Sequence, residues 1–143
     1  MRIAIVVSQF NEFVTSRLEA GARAALESRG LTGDAIGVSH VPGSFELPQA
    51  AHAEAATGKW SAVVCLGCLI RGETAHFDVI ANATADGIMR AAQATGVPIT
   101  FGVLTTNTAE EALARAGDGP TNKGWEAAIA AIEMADLFAR IAS

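Results

Sequence analysis

Short, uninterrupted apolar runs alternate with longer helical segments along this chain, and this alternation constrains its fold more than any other feature. Ile3–Val7 is apolar throughout, which is typical of a strand buried on both faces. The expected strands are Ile3–Val7, Ala35–Val41, Ser61–Gly67 and Pro98–Leu104. Strands that alternate with helices predict an α/β fold, in which right-handed crossovers join a parallel sheet covered by helices on both sides.

The segments between these runs repeat apolar residues at helical spacing, as Val14, Leu18 and Ala22 do. Pro48 lies in the first turn of the second helix, where its missing N–H costs little. Thr108–Glu111 has the form of a capping box, which indicates the start of a short helix. The expected helices are Val14–Arg29, Glu46–Thr57, His76–Thr95, Thr108–Ala116 and Trp125–Ile141.

The composition limits both the size and the partners of the protein. A chain of 143 residues suits one domain, 1–143, and half of its residues are hydrophobic while only 17% are charged. This balance indicates extensive contacts between subunits. A net charge of −5 with no basic run argues against nucleic-acid binding. Ile3–Val7 is too short for a signal-peptide core or a membrane span, so we expect a cytoplasmic protein without membrane association.

Cys65 and Cys68 form a C-x-x-C pair, which is the spacing of redox pairs and of half a zinc site. Cys65 lies inside the apolar run Ala62–Leu66, and positions three apart on a strand point to opposite faces. The sulfurs should therefore diverge, which is incompatible with a disulfide. No second cysteine pair is present to complete a zinc site, so two small core residues are the favoured interpretation.

Ligands of such folds bind beyond the carboxyl ends of the parallel strands. The loops expected to matter therefore begin at Ser8, Val41, Gly67 and Leu104. These four loops contain most of the residues whose chemistry suggests a site.

The segment Gly67–Asp78 carries the strongest chemical signal. A helix start offers free N–H groups to an anion, and Gly72 would let that anion approach the backbone closely. Thr74 adds a hydroxyl donor and Arg71 adds a full charge. His76 follows in the first turn, and an imidazole can give and take protons near neutral pH. The alternative is an ordinary capped helix that carries a surface histidine.

Other loops offer weaker signals. Phe10 beside Asn11 is either an aromatic platform for a planar ring or a hydrophobic contact that anchors the next helix. Gly43 belongs to a Pro-Gly turn that would allow a ring edge to approach the backbone, although an ordinary turn explains it equally well. Arg115 and Lys123 are either phosphate ligands or solvated surface charges.

Taken together, these loops resemble the lumazine synthase family over essentially the whole chain. The matching segments are Phe10–Asn11, Val41–Pro48, Gly67–Asp78, Gly96–Pro98, Phe101–Thr105, Arg115–Gly117 and Asn122–Gly124. The resemblance implies a flavodoxin-like three-layer α/β/α sandwich with a four-stranded parallel sheet. It also implies a homopentamer, with the site at the subunit interface and without cofactor or metal.

The reaction implied is the penultimate step of riboflavin biosynthesis. It condenses 5-amino-6-(D-ribitylamino)uracil with 3,4-dihydroxy-2-butanone 4-phosphate to give 6,7-dimethyl-8-ribityllumazine, phosphate and water. A catalytically weak relative that binds flavin or lumazine, or that serves only in assembly, is the alternative.

The same resemblance implies roles for individual residues. His76 is the proton donor, Phe10 stacks on the pyrimidine, and Phe101 covers it from a neighbouring subunit. The implied substrate-binding residues are Phe10, Asn11, Ser44, Phe45, Glu46, Cys68, Leu69, Ile70, Arg71, Gly72, Glu73, Thr74, Phe101, Arg115 and Lys123. Ser44 stands where the family often has alanine, and Ala114 stands where an acid is frequent before the phosphate-binding arginine.

Overall fold

The sheet contains four parallel strands, as the alternation in the sequence predicts. In this computed structural model, which describes all 143 residues, the strands are β1 (Ile3–Ser8), β2 (Ile36–Val41), β3 (Ala62–Ile70) and β4 (Ile99–Thr106). Their order across the sheet is β2-β1-β3-β4. β1 and β3 therefore lie at the centre, and β2 and β4 are the two edge strands.

Helices cover both faces of this sheet. They are α1 (Glu12–Ser28), α2 (Leu47–Ala56), α3 (His76–Thr95), α4 (Ala109–Ala114) and α5 (Lys123–Ala142), and one-turn 3-10 segments span Gly33–Ala35 and Ser44–Glu46. α1 and α5 pack together on one face, whereas α2 and α3 pack on the other. The expected three-layer, flavodoxin-like arrangement is thus confirmed. Every helix is too short or too polar to cross a bilayer.

Side-chain alternation explains why β1 is apolar without interruption. Ile3, Ile5 and Val7 belong to the core beneath α1 and α5, and Ala4 and Val6 belong to the core beneath α2 and α3. All five side chains are buried. A central strand needs an apolar set for each face, because successive side chains point to opposite sides of the sheet.

The two cysteines lie in different cores. Cys65 packs beneath α2 and α3, and Cys68 packs beneath α1 and α5, so the prediction that their sulfurs diverge is confirmed. Burial raises the pKa of the Cys65 thiol to about 12 and the pKa of the Cys68 thiol to about 11. Both thiols are therefore protonated and weakly nucleophilic at neutral pH.

The third and fourth strands are longer than the sequence indicates. β3 continues to Ile70 because β4 runs on to Thr106 and pairs with it as far as these two residues. Gly67 and Leu104 therefore lie inside strands, and the prediction that loops begin there is wrong. The connection between β3 and α3 is reduced to Arg71–Ala75.

Helix ends follow the local signals closely. α3 has the predicted bounds, and Gly96 closes it in the left-handed conformation at φ 70°. Pro48 lies in the first turn of α2, as expected. The Thr108 hydroxyl accepts a hydrogen bond from the Glu111 N–H at 3.1 Å and caps α4. Such signals depend on residues close in the chain, so the sequence alone suffices to recognise them.

Candidate active site

The loop after β1 holds Phe10 at the carboxyl edge of the sheet. The Phe10 N–H donates to the Pro42 carbonyl at 3.1 Å, which ties this loop to the end of β2. Asn11 adopts the left-handed conformation at φ 61°, and its side-chain amide donates to the Cys68 carbonyl at 2.8 Å. Asparagine tolerates this conformation better than most residues. Asn11 thus fastens the loop to β3, and the Phe10 ring remains 65% exposed.

The 3-10 turn after β2 packs closely against β3, and Gly67 makes this possible. A Cβ at Gly67 would lie 2.7 Å from Ser44 Oγ and 3.2 Å from Ser8 Oγ, which is too close for any larger residue. Both hydroxyls are buried and neither has a hydrogen-bond partner within the chain. On its far side, the Ser44 carbonyl accepts from the Thr84 hydroxyl of α3 at 3.3 Å.

A cavity of about 480 Å³ lies between these two loops and the start of α3. Its lining residues are Phe10, Gly43, Ser44, Phe45, Glu46, Leu69, Ile70, Gly72, Thr74, His76, Phe77 and Ile80. Phe45 is 59% exposed, so two aromatic rings stand at the cavity with much of their surface in water. Exposed aromatic side chains around a polar histidine are characteristic of a binding surface rather than of a core.

The start of α3 is open towards this cavity. Ala75 occupies the cap position and offers no side-chain acceptor. The Thr74 hydroxyl reaches the first turn and accepts from the His76 N–H at 3.3 Å. Uncapped amide groups and the positive end of the helix dipole together attract anions. The Glu73 side chain is exposed and does not line the cavity.

Arg71 does not line the cavity either. Its Nη1 and Nη2 donate to the two carboxylate oxygens of Asp78, each at 3.3 Å, and its Nε donates to Asn107 Oδ1 at 3.1 Å. The guanidinium carbon also lies 4.4 Å from the centre of the Phe77 ring. The structure therefore places this charge among protein groups and not over the expected anion site.

Phe101, Arg115 and Lys123 are brought together, but at a second cavity of about 570 Å³ between β4 and α5. Arg115 Nη1 donates to the Glu111 carbonyl at 2.9 Å, and Lys123 Nζ pairs with Glu126 at 2.8 Å. No residue lines both this cavity and the one beside His76. Within one chain, the residues implied by the resemblance thus form two separate groups.

Two lining residues were missed by the sequence reasoning, although a signal was available. These residues are Phe77, which follows His76, and Ile80, which lies four residues after His76. Residues four apart share a face of a helix. Of the expected β3 residues, Leu69 and Ile70 line the cavity. The Cys68 side chain points to the opposite core, and only its carbonyl takes part, as the acceptor for Asn11.

The sequence was compared with those of known proteins. A sequence model of the 6,7-dimethyl-8-ribityllumazine synthase family matches residues 1–139. A protein named 6,7-dimethyl-8-ribityllumazine synthase from Syntrophus aciditrophicus (strain SB) is 50% identical over 141 residues, which cover 99% of this chain and 92% of that protein. The chain therefore belongs to the 6,7-dimethyl-8-ribityllumazine synthase family, the transferases of riboflavin biosynthesis.

Proposed function

We propose that the cavity beside His76 is where this chain carries out the reaction of its family. That reaction condenses 5-amino-6-(D-ribitylamino)uracil with 3,4-dihydroxy-2-butanone 4-phosphate and releases 6,7-dimethyl-8-ribityllumazine, phosphate and water. One observation carries the proposal: Phe10, Phe45, His76 and the open start of α3 all face the same cavity. A ring platform, a proton carrier and an anion site are the three elements that this condensation requires.

The pyrimidine would occupy the part of the cavity between the first two loops. Phe10 offers its exposed ring for stacking, and the turn Ser44–Glu46 offers polar groups to the ribityl chain. The end of β3 at Cys68–Ile70 borders the ring mainly through its backbone. Asn11 supports this arrangement indirectly, since its amide is bonded to β3.

The phosphate would lie at the start of α3. Gly72 and Thr74 line the cavity there, and the first-turn amides have no side-chain cap at Ala75. Glu73 can contribute only through its backbone, because its carboxylate would repel a phosphate. A phosphate beside His76 would favour the imidazolium form, which is the form that donates a proton.

His76 then serves each proton transfer of the condensation. The 5-amino group of the pyrimidine attacks the ketone and water leaves, which forms an imine. Phosphate is eliminated next, and ring closure releases a second water. Holding two reactants side by side supplies much of the acceleration in such reactions, and a histidine adds proton transfer to it.

We propose further that a second copy of the chain completes the site, as in a homopentamer. Phe101, Arg115 and Lys123 face a separate cavity along the edge strand β4, where a neighbour's His76 cavity can meet them. Phe101 is 47% exposed in the single chain, which suits a ring that covers a substrate held by another subunit. Arg115 would supply a planar guanidinium to the phosphate, with Lys123 close by.

The proposal includes the cellular location and the domain organisation of the enzyme. We place it in the cytoplasm, because its two cysteines are free and buried, as is usual in a reducing compartment. The whole of residues 1–143 would act as one domain built on the single sheet.

The direct test is to mix both substrates with the protein and to follow lumazine absorbance and fluorescence. We expect turnover by the wild type, and we expect His76→Ala to slow it by about ten- to a thousand-fold without loss of substrate binding. A folded wild-type protein that binds the pyrimidine and forms no lumazine would contradict the proposal. A His76→Ala variant with undiminished turnover would contradict the role of the histidine.

A further inference from the structure

The guanidinium of Arg71 joins three parts of the chain. It makes a two-pronged contact with Asp78, it donates from Nε to Asn107, and it stacks on Phe77. Its own backbone N–H donates to the Thr106 carbonyl at 2.9 Å, so the residue is anchored by the main chain as well. Arginine suits such a site because its planar fork fixes direction in a way that a lysine cannot.

Two of these partners belong to the turn that carries the proton donor. Phe77 and Asp78 directly follow His76 in the first turn of α3. Arg71 therefore holds this turn at two consecutive residues, through the ion pair with Asp78 and the contact with the Phe77 ring.

The third partner leads to the other group of site residues. The Asn107 N–H donates to Glu111 Oε1 at 3.2 Å, and the Glu111 carbonyl accepts from Arg115 Nη1 at 2.9 Å. Arg71 is therefore connected through Asn107 and Glu111 to the side chain expected to bind phosphate.

We propose that Arg71 is a positioning residue and not a substrate ligand. It fixes the His76 turn of α3 relative to the segment that carries Arg115. This inference depends on the function proposed above. Where each chain gives His76 to one site and Arg115 to the next, Arg71 holds two neighbouring sites in register from within one chain.

The contact is not expected to stabilise the fold strongly. The Arg71 and Asp78 side chains are about half exposed, and exposed ion pairs contribute little to stability. The contact matters because it orients the turn that carries His76, and small displacements of a catalytic group reduce the rate disproportionately. Arg71→Gln should therefore fold normally and lose turnover.

The test compares Arg71→Gln and Arg71→Lys with Arg90→Gln as the matched control. Arg90 also pairs with an acid on α3, Asp86, and it lies outside both cavities. We expect Arg71→Gln to lower kcat by about tenfold and to change KM for the phosphate substrate by less than about threefold. Arg71→Lys should not restore kcat, and Arg90→Gln should match the wild type.

A double-variant cycle tests whether Arg71 acts through Asp78. If Arg71 acts through Asp78, Arg71→Gln combined with Asp78→Asn should be no slower than Arg71→Gln alone. A large rise in KM for the phosphate substrate in Arg71→Gln, restored by Arg71→Lys, would show direct binding and overturn the proposal. An Arg71→Gln variant as active as Arg90→Gln would overturn it as well.

A readout without turnover separates this proposal from the proposed function. The chain has three histidines, so their ring proton resonances can be assigned from a His76→Ala spectrum. We expect Arg71→Gln to shift the His76 ring resonance, because the ring lies next to the displaced turn, and to leave the resonances of His40 and His52 unchanged. If the wild type made no lumazine, the proposed function would be contradicted, but the shift of the His76 resonance would still test whether Arg71 positions that histidine. An unmoved His76 resonance would refute the positioning role.

Discussion

Thr74 and Ala75 leave the start of α3 only lightly capped. The Thr74 hydroxyl makes one long bond to the His76 N–H, and Ala75 makes none. A good cap commonly stabilises a helix by about 1 kcal/mol. This stabilisation is forgone where a phosphate is expected to bind, which fits a functional helix start.

Thr74→Asp tests this interpretation of the helix start. The carboxylate should cap α3 at least as well as threonine does, and it should repel the phosphate. We expect an unchanged or higher melting temperature and a KM for the phosphate substrate raised by about tenfold or more. Thr74→Ser, which keeps a hydroxyl, should resemble the wild type. An equal rise in KM for both substrates would argue against a phosphate site here.

Burial of the Cys65 thiol makes the free energy of unfolding depend on pH in the alkaline range. Its pKa is raised by burial from 9.0 to about 12, so between these values the unfolded chain loses a proton that the folded chain keeps. Unfolding is therefore favoured as pH rises through this window, and the contribution is absent below pH 9. We expect thermal unfolding from pH 8 to pH 11 to show a smaller loss of stability in Cys65→Val than in the wild type. Parallel pH dependences would contradict this.

At the scale of elements, Asn122 joins α5, α1 and the loop after α4. Its Oδ1 accepts from the N–H groups of Gly124 and Trp125, and its Nδ2 donates to the carbonyls of Arg17 and Gly117. The residue is only 2% exposed. Lys123, which follows it, thus begins α5 at a well-defined point beside the second cavity.

Asn122→Ala should remove the cap of α5 and the two hydrogen bonds that the Asn122 amide donates to the Arg17 and Gly117 carbonyls. We expect a loss of about 2–4 kcal/mol in the free energy of unfolding, measured with urea. Thr108→Ala, which removes the exposed cap of α4, should cost about 1 kcal/mol in the same measurement. Similar losses in the two variants would show that burial of the Asn122 network adds little.

At the scale of the whole molecule, the proposed assembly divides each site between two chains. His76 faces one cavity and Arg115 faces another, so neither chain alone holds both groups at one substrate. An interface of this kind is head-to-tail, and it forms a ring where the rotation between neighbours closes, as in the proposed homopentamer. The composition, with half of the residues hydrophobic and only 17% charged, fits a surface that is partly covered by neighbours.

Mixed rings test the division directly. His76→Ala and Arg115→Ala chains should each be impaired alone, and Arg115→Ala should raise KM mainly for the phosphate substrate. Co-expression of equal amounts should restore activity, since about a quarter of the sites in a random head-to-tail ring receive both native residues. Sedimentation of the mixture checks that the rings form. Activity no higher than that of the separate variants would contradict a shared site.

Local patterns in the sequence predict the elements and several of their ends. Hydrophobic spacing, Pro48, the Thr108–Glu111 box and Gly96 act over a few residues, so they locate helices without knowledge of the fold. The alternation of strands and helices also predicts the layers of the sandwich, because few arrangements bury such a pattern. Strand geometry alone predicts that the Cys65 and Cys68 side chains point to opposite faces of the sheet.

Other features depend on segments that are distant in the chain. β3 extends to Ile70 because β4 pairs with it that far, although Gly67 interrupts the apolar run in the sequence. Arg71 has the sequence context of a phosphate ligand, yet Asn107 and Asp78 hold its side chain elsewhere. Residues close in the chain decide whether a segment forms a strand or a helix. The length of a strand and the direction of a side chain are set by tertiary contacts, which form only when the chain has folded.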